Sequence, residues 1–125
     1  MNGLLKVDNI MYRVKNLVES ARFYKDVLGL KQVWIDTKRK MIGFQLLESD
    51  SEIVITSDVK LPKFDYSYLV ENVELFCHKF KRQGFRLELK PTEVRCGKYA
   101  ILKDPDGNMI PIIDLTKFGN KPRYN

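Results

Sequence analysis

The feature that most constrains the fold is an internal repeat. Residues 9–30 read NIMYRVKNLVESARFYKDVLGL, and a degraded copy, DYSYLVENVELFCHKFKRQGF, occupies residues 65–85. Asn16 of the first copy and Asn72 of the second stand 56 residues apart, and neighbouring positions match at the same spacing. A repeat of this kind indicates that one supersecondary unit occurs twice in the chain. We therefore expect two modules with the same plan.

Each copy begins with the pattern of a strand followed by a capped helix. Side chains in residues 9–14 alternate with a period of two, which is typical of a half-buried strand. Asn16 is followed three residues later by Glu19, the spacing of a helix N-cap with an acidic first turn. Apolar residues at helical spacing then continue to Gly29, a residue type that commonly ends helices.

Three further strands are predicted after each helix, with short polar turns between them. They span residues 32–36, 41–47 and 52–56 in the first copy, and residues 86–93, 98–102 and 109–115 in the second. Residues 104–108, DPDGN, form a dense turn signal. The sequence therefore predicts an α+β fold made of two βαβββ modules. We expect residues 1–125 to form a single domain, with module one at about 8–57, a linker at 58–63, module two at about 64–115 and a basic tail at 116–125.

Composition and charge narrow the class of protein. The chain of 125 residues suits one compact domain. No apolar run approaches the roughly 20 residues needed to span a bilayer, and the first residues lack the apolar stretch of a signal peptide. The net charge of +6, from 22 basic and 16 acidic residues, is scattered along the chain. We expect a cytoplasmic protein that binds neither nucleic acid nor membranes.

The cysteines and the single histidine offer no motif for catalysis or metal binding. Cys77 falls on the apolar face of the second predicted helix, where a buried free thiol is expected. Cys96 is predicted in a turn beside Arg95 and Lys98, a setting that can activate a thiol. His78 falls on the polar face of the second helix and is expected at the surface.

Three features together resemble the vicinal oxygen chelate superfamily, which includes glyoxalase I, bleomycin-resistance proteins and extradiol dioxygenases. They are the two βαβββ units, the helix ending in FYKDVLGL at residues 23–30, and the DPDGN turn at residues 104–108. The resemblance covers about residues 8–115. It implies a cupped mixed β-sheet with the helices on the outside, the glyoxalase/bleomycin-resistance fold. It also implies a cleft that similar proteins of this length complete by forming a homodimer.

Enzymes of that superfamily usually hold a divalent metal with His, Glu or Gln side chains from four strands. The resemblance maps the four positions to Asn9, Val54, Asp65 and Pro111. Valine and proline side chains have no donor atoms, and asparagine offers only a neutral carbonyl oxygen. Asp65 alone falls short of the three or four ligands of a catalytic metal site. We therefore predict no metal, no cofactor and no catalytic residue.

What remains of the implied site is a concave, mostly apolar surface with a few polar groups, which is typical of small-molecule sites. The predicted lining residues are Asn9, Met11, Arg13, Trp34, Phe44, Val54, Asp65, Tyr99 and Pro111. The Arg13 guanidinium would suit a carboxylate, phosphate or sulfate. An arginine paired with Asp65 or Glu52 at the edge of the sheet is the alternative interpretation.

The leading hypothesis is thus that the protein is a homodimer that binds a small molecule without a metal ion and is not an enzyme. An anionic molecule is the candidate ligand. A second hypothesis is a divergent metal-dependent lyase, isomerase or dioxygenase that recruits Asp65 and Glu52 through a change of register. A third is a non-catalytic, dimeric interaction module in which the protein's own side chains fill the cup.

Overall fold

The computed structural model describes residues 3–58, 60 and 66–119. These residues form two compact units. The first unit contains residues 8–58, 60 and 66, and the second contains residues 3–7 and 67–119. Most of the predicted linker at 58–63, and the tail beyond residue 119, lie outside the described residues. No helix in the described part of the chain is long and apolar enough to cross a membrane.

The first unit places one helix and four strands in the predicted order. Its elements are β1 (Lys6–Arg13, whose first two residues group with the second unit), α1 (Leu17–Arg22), a π-helical segment (Phe23–Val27), β2 (Lys31–Asp36), β3 (Met41–Gln45) and β4 (Glu52–Thr56). The strands are ordered β2-β3-β4-β1. β1 runs parallel to β4, whereas β2–β3 and β3–β4 are antiparallel hairpins.

The first helix begins as its sequence predicts and ends differently. The Asn16 side chain accepts a hydrogen bond of 2.9 Å from the Glu19 backbone N–H, so the predicted N-cap is confirmed. At the other end, the Leu28 N–H donates to the Phe23 carbonyl five residues earlier, at 3.1 Å. This wider π-type turn replaces the last α-helical turn. Gly29 follows with a φ of +74°, which glycine adopts without a steric penalty.

The second unit repeats the plan of the first. Its elements are β5 (Tyr66–Leu69), α2 (Val73–Arg82), β6 (Leu87–Glu93), β7 (Lys98–Lys103) and β8 (Met109–Ile113), followed by a 3-10 turn (Thr116–Phe118). The strand order is β5-β8-β7-β6, with β5 parallel to β8 and antiparallel hairpins elsewhere. The predicted α+β class and its two βαβββ modules are confirmed.

In each unit the helix packs on one face of the sheet. The core of the first unit comprises Ala21, Ile42, Phe44 and Ile55, and that of the second comprises Val70, Val73, Cys77, Ala100, Leu102 and Ile112. The strand residues in these cores alternate with residues whose side chains point to the opposite face. In the second unit that opposite face carries a smaller apolar cluster of Cys96, Ile113 and Leu115.

A buried carboxyl group, Asp114, ties the second unit together just after β8. Asp114 is only 1% exposed, and its Oδ2 accepts a 2.7 Å hydrogen bond from the N–H of Val73, the first residue of α2. Its Oδ1 accepts from the Lys98 N–H at 2.9 Å and from the Thr116 hydroxyl at 2.8 Å. Gly97 packs so closely on this carboxyl that a Cβ there would overlap it. Asp114 therefore joins α2, β7 and the 3-10 turn.

The described start of the basic tail packs against its own chain. Phe118 contacts the cluster formed by Cys96, Ile113 and Leu115. The Lys117 ammonium lies 2.8 Å from the Glu93 carboxylate. Hydrogen bonds from Lys117 and then from Lys98 lower the pKa of the Glu93 carboxyl to about 2.

Candidate functional site

The face of the first sheet that points away from α1 collects most of the predicted site residues. Residues paired across neighbouring strands lie side by side, and every second residue along a strand returns to the same face. We call this surface the site face. Its three rows across β1, β4 and β3 are Asn9, Glu52 and Gln45, then Met11, Val54 and Gly43, then Arg13, Thr56 and Met41. Trp34 on β2 pairs with Gly43 and extends the middle row.

The indole of Trp34 covers the Gly43 end of the middle row. The indole lies directly over Gly43, where a Cβ atom would overlap its Nε1 and adjoining ring carbons. From there Nε1 donates a hydrogen bond of 2.9 Å to Oε1 of Glu52. The missing side chain at Gly43 is therefore what lets an aromatic ring lie close against the sheet and reach Glu52 in the first row.

The first row holds a buried carboxyl group between two amides. Glu52 is 1% exposed, and a carboxyl group this deeply buried is costly unless it is hydrogen-bonded, so the Trp34 N–H is an important partner. Asn9 donates through Nδ2 to Asp8 at 2.7 Å. Gln45 donates through Nε2 to the Ser49 carbonyl at 3.2 Å. This row has the acceptors and donors of a polar recognition site.

The sequence analysis did not place Glu52 among the lining residues, although a signal for it existed. Glu52 stands two residues before Val54 on the same strand, so both side chains point to the same face. The change of register that the metal-enzyme hypothesis invokes is therefore unnecessary to bring Glu52 there.

The third row carries the positive charge of the site face. Arg13 is exposed at the end of β1 and pairs in register with the buried Thr56. It stands four residues from Asn9, which corresponds to roughly 13 Å along an extended strand. The site face thus has an acidic end, an apolar middle and a basic end.

Five of the predicted lining residues meet on this face, namely Asn9, Met11, Arg13, Trp34 and Val54. The structure corrects the position of a sixth, Phe44. Phe44 is 0% exposed and belongs to the core beneath α1, where its ring stacks on Tyr24 with centroids 5.6 Å apart. Phe44 follows Gly43 directly, so its side chain points to the opposite face.

The remaining predicted residues lie elsewhere. In the second unit, Tyr99 packs against the cluster of Cys96, Ile113 and Leu115, and the buried Pro111 pairs in register with Ile101. Asp65 lies outside the described residues.

Both cysteines are buried. Cys96 lies in the predicted turn, between β6 and β7, and its Sγ donates to the Asp114 carbonyl at 3.2 Å, a setting that does not favour an activated thiol. Cys77 is buried as predicted, and burial, with a smaller contribution from Glu74, raises the pKa of its thiol to about 11. His78 is exposed on α2, as expected.

The positions that would hold a metal in the superfamily do not suit one here. Val54 and Pro111 are buried and present hydrocarbon only, while Asn9, whose Nδ2 donates to Asp8, offers a metal only its neutral amide oxygen. Across residues 3–58, 60 and 66–119, no three His, Cys, Asp or Glu side chains are grouped so that they could hold a metal ion. The donor set at the described positions therefore does not fit a divalent metal.

Comparison with known proteins gives consistent matches over nearly the whole chain. A family model described as the Glyoxalase/Bleomycin resistance protein/Dioxygenase superfamily matches residues 6–112. YraH of Bacillus subtilis (strain 168) is 27% identical over 127 residues, covering 89% of this chain and 99% of YraH. The lactoylglutathione lyase of Haemophilus influenzae is 25% identical over 125 residues, covering 88% and 93%.

A solved structure gives the same picture for the fold. The methylmalonyl-CoA epimerase of Mycobacterium tuberculosis superimposes with a TM-score of 0.62 at 18% identity, covering 89% of this chain and 88% of the epimerase. At this level of identity the match supports the fold alone.

Proposed function

Since the chain belongs to the Glyoxalase/Bleomycin resistance protein/Dioxygenase superfamily, we propose that it binds a small molecule on the site face without using a metal ion. The observation that carries the proposal is the set of side chains at the mapped metal positions. Asn9, Val54 and Pro111 supply an amide and hydrocarbon where the superfamily's enzymes are expected to bring His, Glu or Gln.

The chemistry of the site face supports a role in ligand binding. Its middle row of Met11, Val54 and Trp34 is apolar, and polar groups stand only at its ends, as in many small-molecule sites. Arg13 could pair with an acidic group of a ligand in bidentate geometry. The net charge of +6 would favour the approach of an anionic ligand.

Binding rather than catalysis is the better match to these residues. The strands of the site face carry no histidine, since the only histidine in the chain, His78, lies on α2 of the second unit. The hydroxyl nearest to Arg13 on this face belongs to Thr56, which has no imidazole beside it to activate it as a nucleophile.

Binding can be followed through Trp34, the only tryptophan in the chain. We expect octanoate, an apolar carboxylic acid, to change the Trp34 emission in a saturable way, with a Kd that EDTA alters by less than about twofold. Replacing the guanidinium in Arg13→Gln should weaken binding by about tenfold or more, because a charge-assisted hydrogen bond is lost. Arg22→Gln, an exposed substitution on α1, is the matched control and should leave the Kd unchanged.

Two results of this titration would contradict the proposal. One is binding that disappears in EDTA and returns with zinc or nickel. The other is a complete lack of saturable response to octanoate and to a panel of related apolar acids.

We also propose that the protein acts as a homodimer in the cytoplasm. Val18 and Val27, on α1 and its π-helical extension, are 69% and 67% exposed, and association would remove such apolar surface from water. Two free cysteines, Cys77 and Cys96, are compatible with a reducing compartment. Light scattering after size exclusion should give twice the mass of one chain at micromolar concentration, and the mass of a single chain would contradict the dimer.

A further inference from the structure

The two ends of the site face differ in charge and in burial. Glu52 lies in the first row and is 1% exposed, whereas Arg13 lies in the third row and is exposed. Met11 and Val54 stand between the two ends in the register of β1 and β4. Because the first and third rows are four residues apart, they are separated by roughly 13 Å. An elongated ligand could therefore meet an acid and a base at opposite ends.

The indole of Trp34 lies over Gly43, at the β3 end of the middle row, and donates its N–H to Glu52. Because Glu52 is 1% exposed, a ligand that reaches its Oε1 must move the indole N–H aside and take it away from a buried carboxyl group. Losing a hydrogen-bond donor to a buried acceptor is costly, so the ligand must supply a replacement donor.

We propose that the ligand carries a hydrogen-bond donor such as an ammonium group at one end and an acidic group at the other. An apolar body of about 10 Å joins them, which leaves room for a hydrogen bond within the roughly 13 Å between the rows. The donor replaces the Trp34 indole on Glu52, and the acid pairs with Arg13. This inference rests on the proposed function, because it names the class of ligand for the same face.

The arrangement selects against simple acids. An apolar acid without a donor can pair with Arg13, but it forms no hydrogen bond with Glu52. If it displaces the indole, the Glu52 carboxyl group loses the hydrogen bond from the Trp34 N–H. If it does not, the indole stays in place and that end of the site is closed to it. Sites built to hydrogen-bond one substrate group reject analogues that lack it far more strongly than sites that measure size alone. The acidic end is therefore the main source of specificity.

Three probes of matched length test the inference: ω-aminooctanoate, octanoate and octylamine. Titrations followed by Trp34 emission and by calorimetry should show ω-aminooctanoate binding about tenfold or more tighter than either single-ended probe. Glu52→Gln keeps an oxygen for the indole but removes the carboxylate, so we expect it to weaken ω-aminooctanoate by about tenfold and to leave octanoate unchanged. Arg13→Gln should weaken both acids and spare octylamine. Glu48→Gln, in the exposed turn between β3 and β4, is the matched control.

A second pair of variants tests the position of the indole without any ligand. Gly43→Ala places a Cβ where the indole lies, so Trp34 should leave the sheet, shift its emission to the red and become easier to quench with acrylamide. Gly3→Ala has open space around the added Cβ and should leave the emission unchanged. Circular dichroism of both variants establishes that they are folded.

The outcomes separate this inference from the proposed function. Equal affinity for octanoate and ω-aminooctanoate would overturn the inference that the ligand carries a donor at one end and an acid at the other. An equal loss of affinity for both probes in Glu52→Gln would do the same. Neither result would contradict metal-free binding. An unchanged emission in folded Gly43→Ala would overturn the role assigned to the indole. Binding that requires an added metal would instead contradict the proposed function.

Discussion

Replacing Asp114 with alanine should destabilise the protein by about 3–5 kcal/mol, because it leaves two backbone N–H groups and a hydroxyl without their buried acceptor. The Asp114 carboxyl accepts from the N–H groups of Val73 and Lys98 and from the Thr116 hydroxyl. The change also opens a small cavity beside Gly97, where the carboxyl now packs. Urea denaturation followed by circular dichroism measures the effect.

Two further variants make this result specific. Asp114→Asn retains Oδ1 and should cost less than the alanine variant, since only the hydrogen bond to Val73 loses its acceptor. Asp106→Ala removes an exposed carboxylate from the turn between β7 and β8 and should change stability by less than about 0.5 kcal/mol. A loss below about 1 kcal/mol in Asp114→Ala would mean that the carboxyl does not hold α2, β7 and the 3-10 turn together.

Phe44→Ala should cost about 3–5 kcal/mol of stability while leaving ligand affinity nearly unchanged. Phe44 is 0% exposed in the core beneath α1, on the face of the sheet opposite Trp34 and Val54. Its removal leaves a cavity against Tyr24 and Ile55 rather than a gap in the binding surface. Thermal unfolding gives the stability, and an octanoate titration of the folded variant gives the affinity.

Met11→Ala is the matched comparison, because Met11 lies on the site face and is only half-buried. It should weaken octanoate binding and cost less stability than Phe44→Ala. The reverse pattern, with binding lost in Phe44→Ala and retained in Met11→Ala, would mean that the ligand does not bind the site face.

Local sequence patterns were sufficient to predict most of the fold. The repeat gave two copies of one unit, and the asparagine caps fixed where both helices start, since Asn16 and Asn72 each accept the predicted backbone hydrogen bond. Strand β4 spans Glu52–Thr56, as its alternation and flanking turn residues predict. These features depend only on neighbours along the chain.

Features that depend on distant partners escaped the sequence analysis. Strand β8 was predicted to continue to residue 115 but ends at Ile113, and the buried Asp114 that follows it binds the N–H of Val73, 41 residues away. Cys96 lies in the predicted turn, but its burial against Ile113 and Leu115 could not be read from its neighbours Arg95 and Lys98. The π-type end of the first helix also leaves no distinctive residue pattern.

The alternation of side chains along a strand predicted correctly which lining residues share one face of the sheet. Residues that were chosen without regard to this alternation were misplaced. Asn9, Met11, Arg13 and Val54 share a face as alternation requires. Phe44 was included for its aromatic character, although it neighbours Gly43 and so points the other way. The role of Gly43 beneath the indole could not be read from a glycine within a strand, because the close approach of Trp34 involves a different strand.

The most direct test of the account is the metal content and metal affinity of the purified protein. We expect elemental analysis to find far less than one zinc, nickel, iron or manganese ion per chain, and calorimetry to show no saturable binding of nickel. The Asp65→Ala variant, which removes the one carboxylate among the mapped metal positions, should behave identically. One tightly bound ion per chain, lost in Asp65→Ala, would contradict metal-independent binding and favour a divergent metal enzyme.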